Sequence, residues 1–110
     1  RVYNGEKVYE VVDKMPIYPG GEKAMLQFLA QNIKYPVKAQ EAGTQGRVHV
    51  AFTVDKKGNM AQFEVVRSVD SLLDAEALRV VSLMPKWTPG SKGGKNVNVR
   101  YTLPIIFALQ

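Results

Sequence analysis

GRVHVAFTV, the stretch from residue 46 to residue 54, alternates polar and apolar side chains and decides the fold. Strict alternation is typical of a β-strand with one buried face, so we predict a strand over residues 46–55. The residues that follow, DKKGN, place Gly58 where a tight hairpin turn requires a left-handed backbone. A second strand over residues 60–67 completes the hairpin. The core-facing side chains of the first strand are Val48, Val50, Phe52 and Val54.

Helical spacing predicts two helices upstream of this hairpin. Apolar side chains recur on one broad face over residues 22–33. Tyr35-Pro36 ends that helix, because a residue before proline avoids the α region. A short helix over residues 36–42 follows, and Gly43 is a suitable C-terminal stop.

A third helix is predicted downstream of the hairpin. Ser71-x-x-Asp74 has the form of a capping box. Residues 72–84 then show an apolar stripe at helical spacing, and Pro85 ends the helix.

The last strand, over residues 96–107, alternates as the first strand does, and a short strand is predicted over residues 8–12. Proline has no amide to donate, so within sheets it is confined to edges, ends or bulges. Pro104 therefore predicts that the last strand is an open edge or is bulged near this residue. An open edge is a template for another chain. This feature favours peptide capture over chemistry.

Length and composition indicate one globular domain. The chain has 110 residues, a net charge of +5 and no cysteine, which excludes a disulfide framework and thiolate chemistry. No apolar run approaches the roughly 18 residues of a membrane span. Because the chain begins at Arg1 without methionine, we interpret it as part of a longer protein. Residues 1–15 are predicted to be a lead-in or linker end, and residues 16–110 the domain.

The residues that tempt a catalytic interpretation do not support one. The glycine-rich loop over residues 90–96 lacks the first glycine of a phosphate-binding loop, and a strand rather than a helix follows it. His49 is the single histidine, whereas a metal site needs several convergent ligands. The acids near residue 74 suit a helix start better than acid–base catalysis. We predict that the chain is not an enzyme and binds neither a cofactor nor a metal.

Two further features have a structural and a functional interpretation. Trp87 could be a recognition aromatic, but a tryptophan just after a helix more often closes the end of a small core. The basic set could bind phosphate, but a solvated rim is favoured because no nucleic-acid motif accompanies it. Its members are Lys86, Lys92, Lys95 and Arg100.

Short motifs spread along nearly the whole chain, from about residue 16 to residue 109, resemble one known family. In chain order they are Tyr18-Pro19-Gly20-Gly21, Asn32-Ile33-Lys34-Tyr35-Pro36, Gly43-x-x-Gly46-x-Val48, Phe52-x-Val54-x-x-x-Gly58, Arg67-Ser68, Leu73-Asp74-x-Glu76-Ala77, Met84-Pro85-Lys86-Trp87-x-Pro89-Gly90 and Tyr101-x-Leu103-Pro104-Ile105-x-Phe107. Each motif is weak alone, but their order and spacing together are specific. The chain resembles the C-terminal domain of TonB-type energy transducers.

The resemblance implies an α+β fold with two to three helices on one face of a three-stranded antiparallel sheet. The hairpin supplies two strands, and the last strand is the open edge. It further implies a periplasmic domain that is tethered to the inner membrane and driven by a proton-powered motor complex. Such a domain captures the TonB box of outer-membrane transporters by strand addition and transmits force for nutrient uptake.

The resemblance also implies two partner-binding segments. The main segment is the last strand, through Asn96, Val97, Asn98, Val99, Arg100, Tyr101, Thr102 and Leu103. The second is the segment at the Tyr-Pro pair, through Asn32, Ile33, Lys34 and Tyr35.

Three alternatives to this function are considered. The same fold could serve as the interaction domain of a membrane-bound sensor or regulatory protein. A nucleic-acid binder would suit the positive charge, but Phe52, Tyr101 and Phe107 fall on the predicted core face and not on an exposed stacking surface, so we predict no nucleic-acid partner. An open edge could also pair with a second copy of this chain, giving a homodimer.

Overall fold

The computed structural model describes residues 1–110 as an α+β fold with three helices and a mixed sheet of five strands. In this sheet the strands lie in the order β1-β2-β7-β3-β4, and β5 and β6 form a separate small hairpin. The elements are β1 (Val2–Tyr3), β2 (Glu6–Tyr9), α1 (Gly21–Asn32), α2 (Val37–Glu41), β3 (Gly46–Val54), β4 (Met60–Arg67), α3 (Ser71–Ser82), β5 (Ser91–Lys92), β6 (Lys95–Asn96) and β7 (Asn98–Phe107).

The central hairpin and its partner strand are as predicted. β3 pairs antiparallel with β4 on one side and with β7 on the other. Gly58 takes φ 88° in the turn, and the hairpin is closed by a hydrogen bond from the Asp55 amide to the carbonyl oxygen of Asn59. The period-two pattern therefore placed these strands to within about two residues of their ends.

The prediction of a three-stranded antiparallel sheet with a fully open last strand was wrong. β1 and β2 form an additional hairpin, and β2 pairs parallel with β7 at Val8–Asn98 and Tyr9–Val99. The turn between them is Asn-Gly, with φ 52° at Asn4 and 76° at Gly5. Asn-Gly with both residues at positive φ is the preferred two-residue hairpin turn, a signal that the sequence analysis missed. The division into a lead-in over residues 1–15 and a domain over 16–110 stays a prediction, and residues 2–9 lie within the sheet.

The capping box predicted for the third helix does not form. Asp70 occupies the N-cap of α3 and makes no side-chain cap. The Asp74 carboxylate instead accepts hydrogen bonds from the Ser68 hydroxyl and the Val69 amide. It therefore ties the helix to the loop that leaves β4.

The core lies between the three helices and one face of β3 and β7. Val48, Phe52 and Ile105 are fully buried there. Trp87 is 3% exposed and packs against the rings of Tyr18, Phe52 and Tyr101, which confirms that it closes the core. None of the helices combines the length and the apolar character that crossing a membrane would take.

Candidate functional site

β7 has a free edge on the side opposite β3, and this free edge begins where β2 ends. β2 covers β7 only at Asn98 and Val99, whereas β3 pairs with the other side of β7 from Val99 to Phe107 without a break. Pro104 cannot donate to a ladder, so its nitrogen faces the unpaired side. The N–H and C=O groups of successive residues in a strand point to opposite sides of the strand. Thr102 and Ile106 therefore also direct their N–H and C=O groups to the open side.

The structure divides the predicted binding strand into two parts. Asn96 belongs to the small β5–β6 hairpin, and the Val97 amide donates to the Gly90 carbonyl. Asn98 and Val99 are paired with β2, so these four residues do not form an open edge. The remaining predicted residues lie at or beyond the end of β2. They are Arg100, Tyr101, Thr102 and Leu103.

Asn98 and Arg100 have buried side chains that form hydrogen bonds within the structure. The amide oxygen of Asn98 accepts from the Lys56 amide at 3.1 Å, and its Nδ2 donates to the Tyr3 carbonyl at 3.4 Å. The bond to Tyr3 attaches the N-terminal hairpin to β7, and the bond from Lys56 attaches the turn between β3 and β4 to the same strand.

Arg100 is a buried link between β7 and β4. Its Nη1 donates to the Gln62 carbonyl at 2.6 Å and to the Thr53 hydroxyl at 3.3 Å, and its Nη2 donates to Glu64 Oε1 at 2.9 Å. Burial lowers the pKa of Arg100, and the nearby charge of Arg1 lowers it further, whereas Glu64 raises it. Arginine keeps its charge at all relevant pH. The buried charge is therefore stabilised by this hydrogen-bond network, and its role is structural.

An apolar groove runs beside the free part of β7. Its main cavity has a volume of about 460 Å³ and lies between α1, the segment at Ile17 and the strand. A smaller cavity of about 240 Å³ extends it towards Ile33. Leu26 on α1 is 55% exposed and Ile106 on β7 is 58% exposed, and both line the two cavities. Trp87 also lines the main cavity, and its buried Nε1 has no hydrogen-bond acceptor.

The sequence analysis missed this groove. The broad apolar face of α1 could have indicated the groove. This face is wider than the stripe of side chains that the core buries. Met25 and Leu29 are buried, whereas Leu26 on the same helix is not.

The second predicted segment is hydrogen-bonded to Glu76 and Arg79 of α3. The Glu76 carboxylate accepts from the Lys34 amide at 2.6 Å and from Arg79 at 2.6 and 2.8 Å. Arg79 also donates to the Asn32 carbonyl at 2.8 Å. Burial raises the pKa of Glu76, but the hydrogen bonds from Arg79 and Lys34 outweigh it and hold the pKa below its usual value.

Ile33 and Tyr35 complete this segment. The Tyr35 hydroxyl donates to the Thr44 carbonyl, and its ring packs edge-on against Phe107 with centroids 5.6 Å apart. Ile33 is partly buried and lines the smaller cavity of the groove. The two predicted segments are therefore connected by the apolar groove.

A basic surface lies at the end of the free edge where β2 stops. The ammonium groups of Lys7 and Lys92 lie 4.7 and 5.1 Å from the centroid of the Tyr9 ring. Neither lysine takes part in any of the ion pairs of the structure. Glu10 is the one acid beside them in a cavity of about 420 Å³.

The structure brings together no residues suited to a metal. It contains no group of three or more histidine, cysteine or acidic side chains close enough to bind one ion. The loop that was compared with a phosphate-binding loop forms the β5–β6 hairpin, where the Gly93 amide donates to Asp13 at 2.7 Å.

Comparison with known proteins identifies the family. The family described as "Gram-negative bacterial TonB protein C-terminal" matches residues 31–109, which is most of the chain. The chain belongs to the TonB C-terminal domain family. It is 32% identical over 76 residues to Protein TonB of Pseudomonas aeruginosa. The match covers 69% of this chain and spans about a fifth, 22%, of that TonB protein.

The fold also agrees with solved TonB C-terminal domains. An NMR structure of the Helicobacter pylori TonB-CTD matches with a TM-score of 0.60 and 26% identity, covering 84% of this chain and 87% of that one. A shorter form of the same domain matches with a TM-score of 0.57 and 24% identity, and the match covers 78% of this chain and 90% of that one. The second match supports the fold alone. The resemblance seen in the sequence motifs is thereby confirmed.

Proposed function

We propose that this chain is the periplasmic domain of a TonB-type energy transducer. A transmembrane segment in the rest of the protein would tether it to the inner membrane and to a proton-driven motor complex. The domain would capture the TonB box of an outer-membrane transporter and transmit force for nutrient uptake. It would act by binding and not as an enzyme, and it would need neither a cofactor nor nucleic acid.

The observation that carries this proposal is the free part of β7. Thr102 and Ile106 direct backbone donors and acceptors to a side where β2 has already ended. A peptide strand placed there would form a ladder with β7. Each backbone hydrogen bond contributes about 0.5–1.5 kcal/mol net. A few such bonds give a reversible complex, and because they lie side by side they share a load applied along the strand.

The binding segment that we propose is shifted from the one predicted. It comprises residues 100–106, because Asn98 and Val99 already pair with β2. A peptide could reach these two residues only if β2 left β7. The segment over residues 32–35 is kept as a second contact with the transporter, since Glu76 fixes its backbone and Ile33 extends the groove.

The test is a backbone amide NMR titration of this chain with a synthetic TonB-box peptide, with a scrambled peptide as control. We expect shifts at the amides of Thr102 and Ile106, which face the open side, and these shifts should persist when salt is added. Added shifts at Glu6–Tyr9 would mean that the peptide displaces β2. If several TonB-box peptides leave the chemical shifts of the β7 amides unchanged, the transducer function is overturned and a sensor or regulatory role takes its place.

A further inference from the structure

We propose that the cavity beside Tyr9 is a binding site for a phosphate group, which the ammonium groups of Lys7 and Lys92 hold. The cavity has a volume of about 420 Å³, and Arg1 and Arg100 also line it. It shares no lining residue with the groove beside β7, so this site is separate from strand capture. A lipid headgroup and a small soluble phosphate ester offer the same chemistry to it.

Two ammonium groups converge on one aromatic ring in this cavity. Lys7 belongs to β2 and Lys92 to β5, and their Nζ atoms lie 4.7 and 5.1 Å from the centroid of the Tyr9 ring. The two Nζ atoms are therefore within about 10 Å of each other, a separation at which like charges still repel in dilute salt. Neither lysine pairs with a carboxylate. An anion between them would replace this repulsion by attraction to both.

The β5–β6 hairpin adds to the unbalanced positive charge. Lys92 lies directly opposite Lys95 in the register of the hairpin. Like charges directly opposite each other on paired strands are destabilising. Asp13, the acid beside this hairpin, accepts a hydrogen bond from the Gly93 amide. A local arrangement that costs stability in this way is typical of a functional site.

The charge around the cavity suits a phosphate better than a carboxylate. Arg1 and Arg100 share one carboxylate oxygen, Oε1 of Glu64, at 3.2 and 2.9 Å. Burial lowers the pKa of Arg100, and the charge of Arg1 lowers it further. With Glu10 as the acid that lines the cavity, four cations face only two carboxylates. A phosphate monoester carries about −1.5 to −2 charges at pH 7, which is close to this excess, whereas a carboxylate carries one.

The lysine side chains can reach a shared anion. An ammonium group is a point charge with three donors on a flexible stem. Lys7 and Lys92 are both exposed, so no packing opposes their turning from the ring of Tyr9 to a phosphate. Charge-assisted hydrogen bonds to phosphate are stronger than a cation–π contact with an exposed ring. The observed contacts with the ring therefore hold the two groups near the site without competing with the ligand.

The first experiment titrates the 110-residue chain with sodium glycerol phosphate, a soluble phosphate monoester, and with sodium acetate as control. Both titrations are followed by amide NMR at constant ionic strength. We expect the amides of Lys7, Tyr9 and Lys92 to shift with the phosphate and to saturate in the millimolar range. Acetate should bind at least about fivefold more weakly, because it carries a smaller charge. Shifts that do not saturate, or equal binding of acetate, would overturn the proposal.

A matched pair of double variants tests which lysines hold the phosphate. Lys7→Gln with Lys92→Gln removes both ammonium groups from the cavity, whereas Lys23→Gln with Lys38→Gln makes the same change of net charge on α1 and α2. All four positions are exposed, so both variants should keep the folded amide spectrum. We expect the first variant to weaken the phosphate about tenfold and the second to leave its affinity nearly unchanged. Equal losses would overturn the site, because net charge alone would then explain the binding.

Vesicles distinguish the two sources of the phosphate group. Cosedimentation is measured with vesicles that contain phosphatidic acid, whose headgroup is a phosphate monoester, and with vesicles of phosphatidylcholine alone. Binding to the first vesicles only, lost in the Lys7, Lys92 variant and kept in the Lys23, Lys38 variant, would assign the site to a lipid headgroup. Saturable binding of glycerol phosphate without vesicle binding would assign it to a soluble ester. Vesicle binding that is equal for the two double variants, without saturable binding of glycerol phosphate, would overturn the proposal.

Discussion

The outer side of β4 and the free part of β7 are both unpaired edges of one sheet, but they are built differently. β4 shows register shifts against β3, and Gln62 takes φ 53° at one of them. β7 keeps a continuous register with β3 from Val99 to Phe107. Charged Glu64 and Arg67 are exposed on β4, whereas an apolar groove flanks β7.

This difference indicates which edge can accept a partner. Bulges and charges are the means by which proteins prevent unwanted pairing at sheet edges. β4 uses both, whereas β7 has Pro104, which removes a single donor. Substitutions on the outer side of β4 should therefore leave peptide affinity unchanged, and substitutions on the free part of β7 should lower it.

The largest effect is expected in the turn that leads to β4. A Cβ atom at Gly58 would lie 2.1 Å from the Trp87 carbonyl oxygen, and φ is 88°. Gly58→Ala should lower the free energy of unfolding by about 3–4 kcal/mol in urea denaturation. Gly94→Ala is the matched control, because φ is 78° and no atom lies within 4 Å. Its cost should be about 1 kcal/mol, and equal losses for both variants would contradict the clash.

Removing the Arg100 link between β7 and β4 should have the next largest effect on stability. Arg100→Met removes the donors to the Gln62 carbonyl, Thr53 and Glu64. We expect a loss of about 2–3 kcal/mol in unfolding free energy and faster hydrogen exchange of the β4 amides. Arg47→Met, at an exposed position on β3, is the control. Unchanged exchange in β4 would show that the link does not hold this edge.

Glu76 belongs to neither edge and should affect stability in a pH-dependent manner. Because its folded-state pKa is lowered, the ionised carboxylate stabilises the fold above its unfolded pKa of about 4.3. This stabilisation is lost as pH falls through the folded pKa. Glu76→Gln should cost about 1–2 kcal/mol at neutral pH. In urea denaturation the difference from the unsubstituted chain should shrink below about pH 4, and a difference independent of pH would contradict the assignment.

Proline substitutions distinguish the two sides of β7. Thr102→Pro removes a donor that faces the open side, so the fold should be kept while TonB-box affinity falls about tenfold in the NMR titration. Leu103→Pro, the control, removes a donor from the ladder with β3 and should therefore destabilise the fold. If Thr102→Pro binds the peptide normally, capture does not use this edge.

The smallest effect is expected at the outer edge. Val66 on β4 is 51% exposed, and Val66→Ser should change stability by less than about 0.5 kcal/mol and leave peptide affinity unchanged. A loss of affinity here, measured by the same titration, would reverse the assignment of the two edges.

The sequence predicted the parts of the fold that depend on local pattern. Alternation and Gly58 located β3, β4 and β7, because side-chain period and turn conformation are properties of neighbouring residues. The pairing of β2 with β7 joins residues about ninety positions apart, so no local pattern specifies it. The Asn4-Gly5 turn could have been predicted from the sequence, but the strands on either side of it have only two and four residues and give little pattern.

The candidate site was predictable only in part for the same reason. Pro104 correctly indicated an unpaired side of β7, and the family motifs pointed to the same strand. The groove depends on how α1 sits beside β7, which is a property of tertiary packing. Leu26 could therefore be assigned to an apolar helix face but not to a surface shared with Ile106.

The short parallel pairing of β2 with β7 has a consequence for how a strand would be positioned. A backbone ladder alone is uniform, and a strand on it could slide by one residue, which would turn every side chain to the opposite face. β2 already occupies Asn98 and Val99, so a strand approaching from the far end of β7 meets the end of β2 and stops. If a strand is captured as proposed, the N-terminal hairpin would act as an end stop that limits its register.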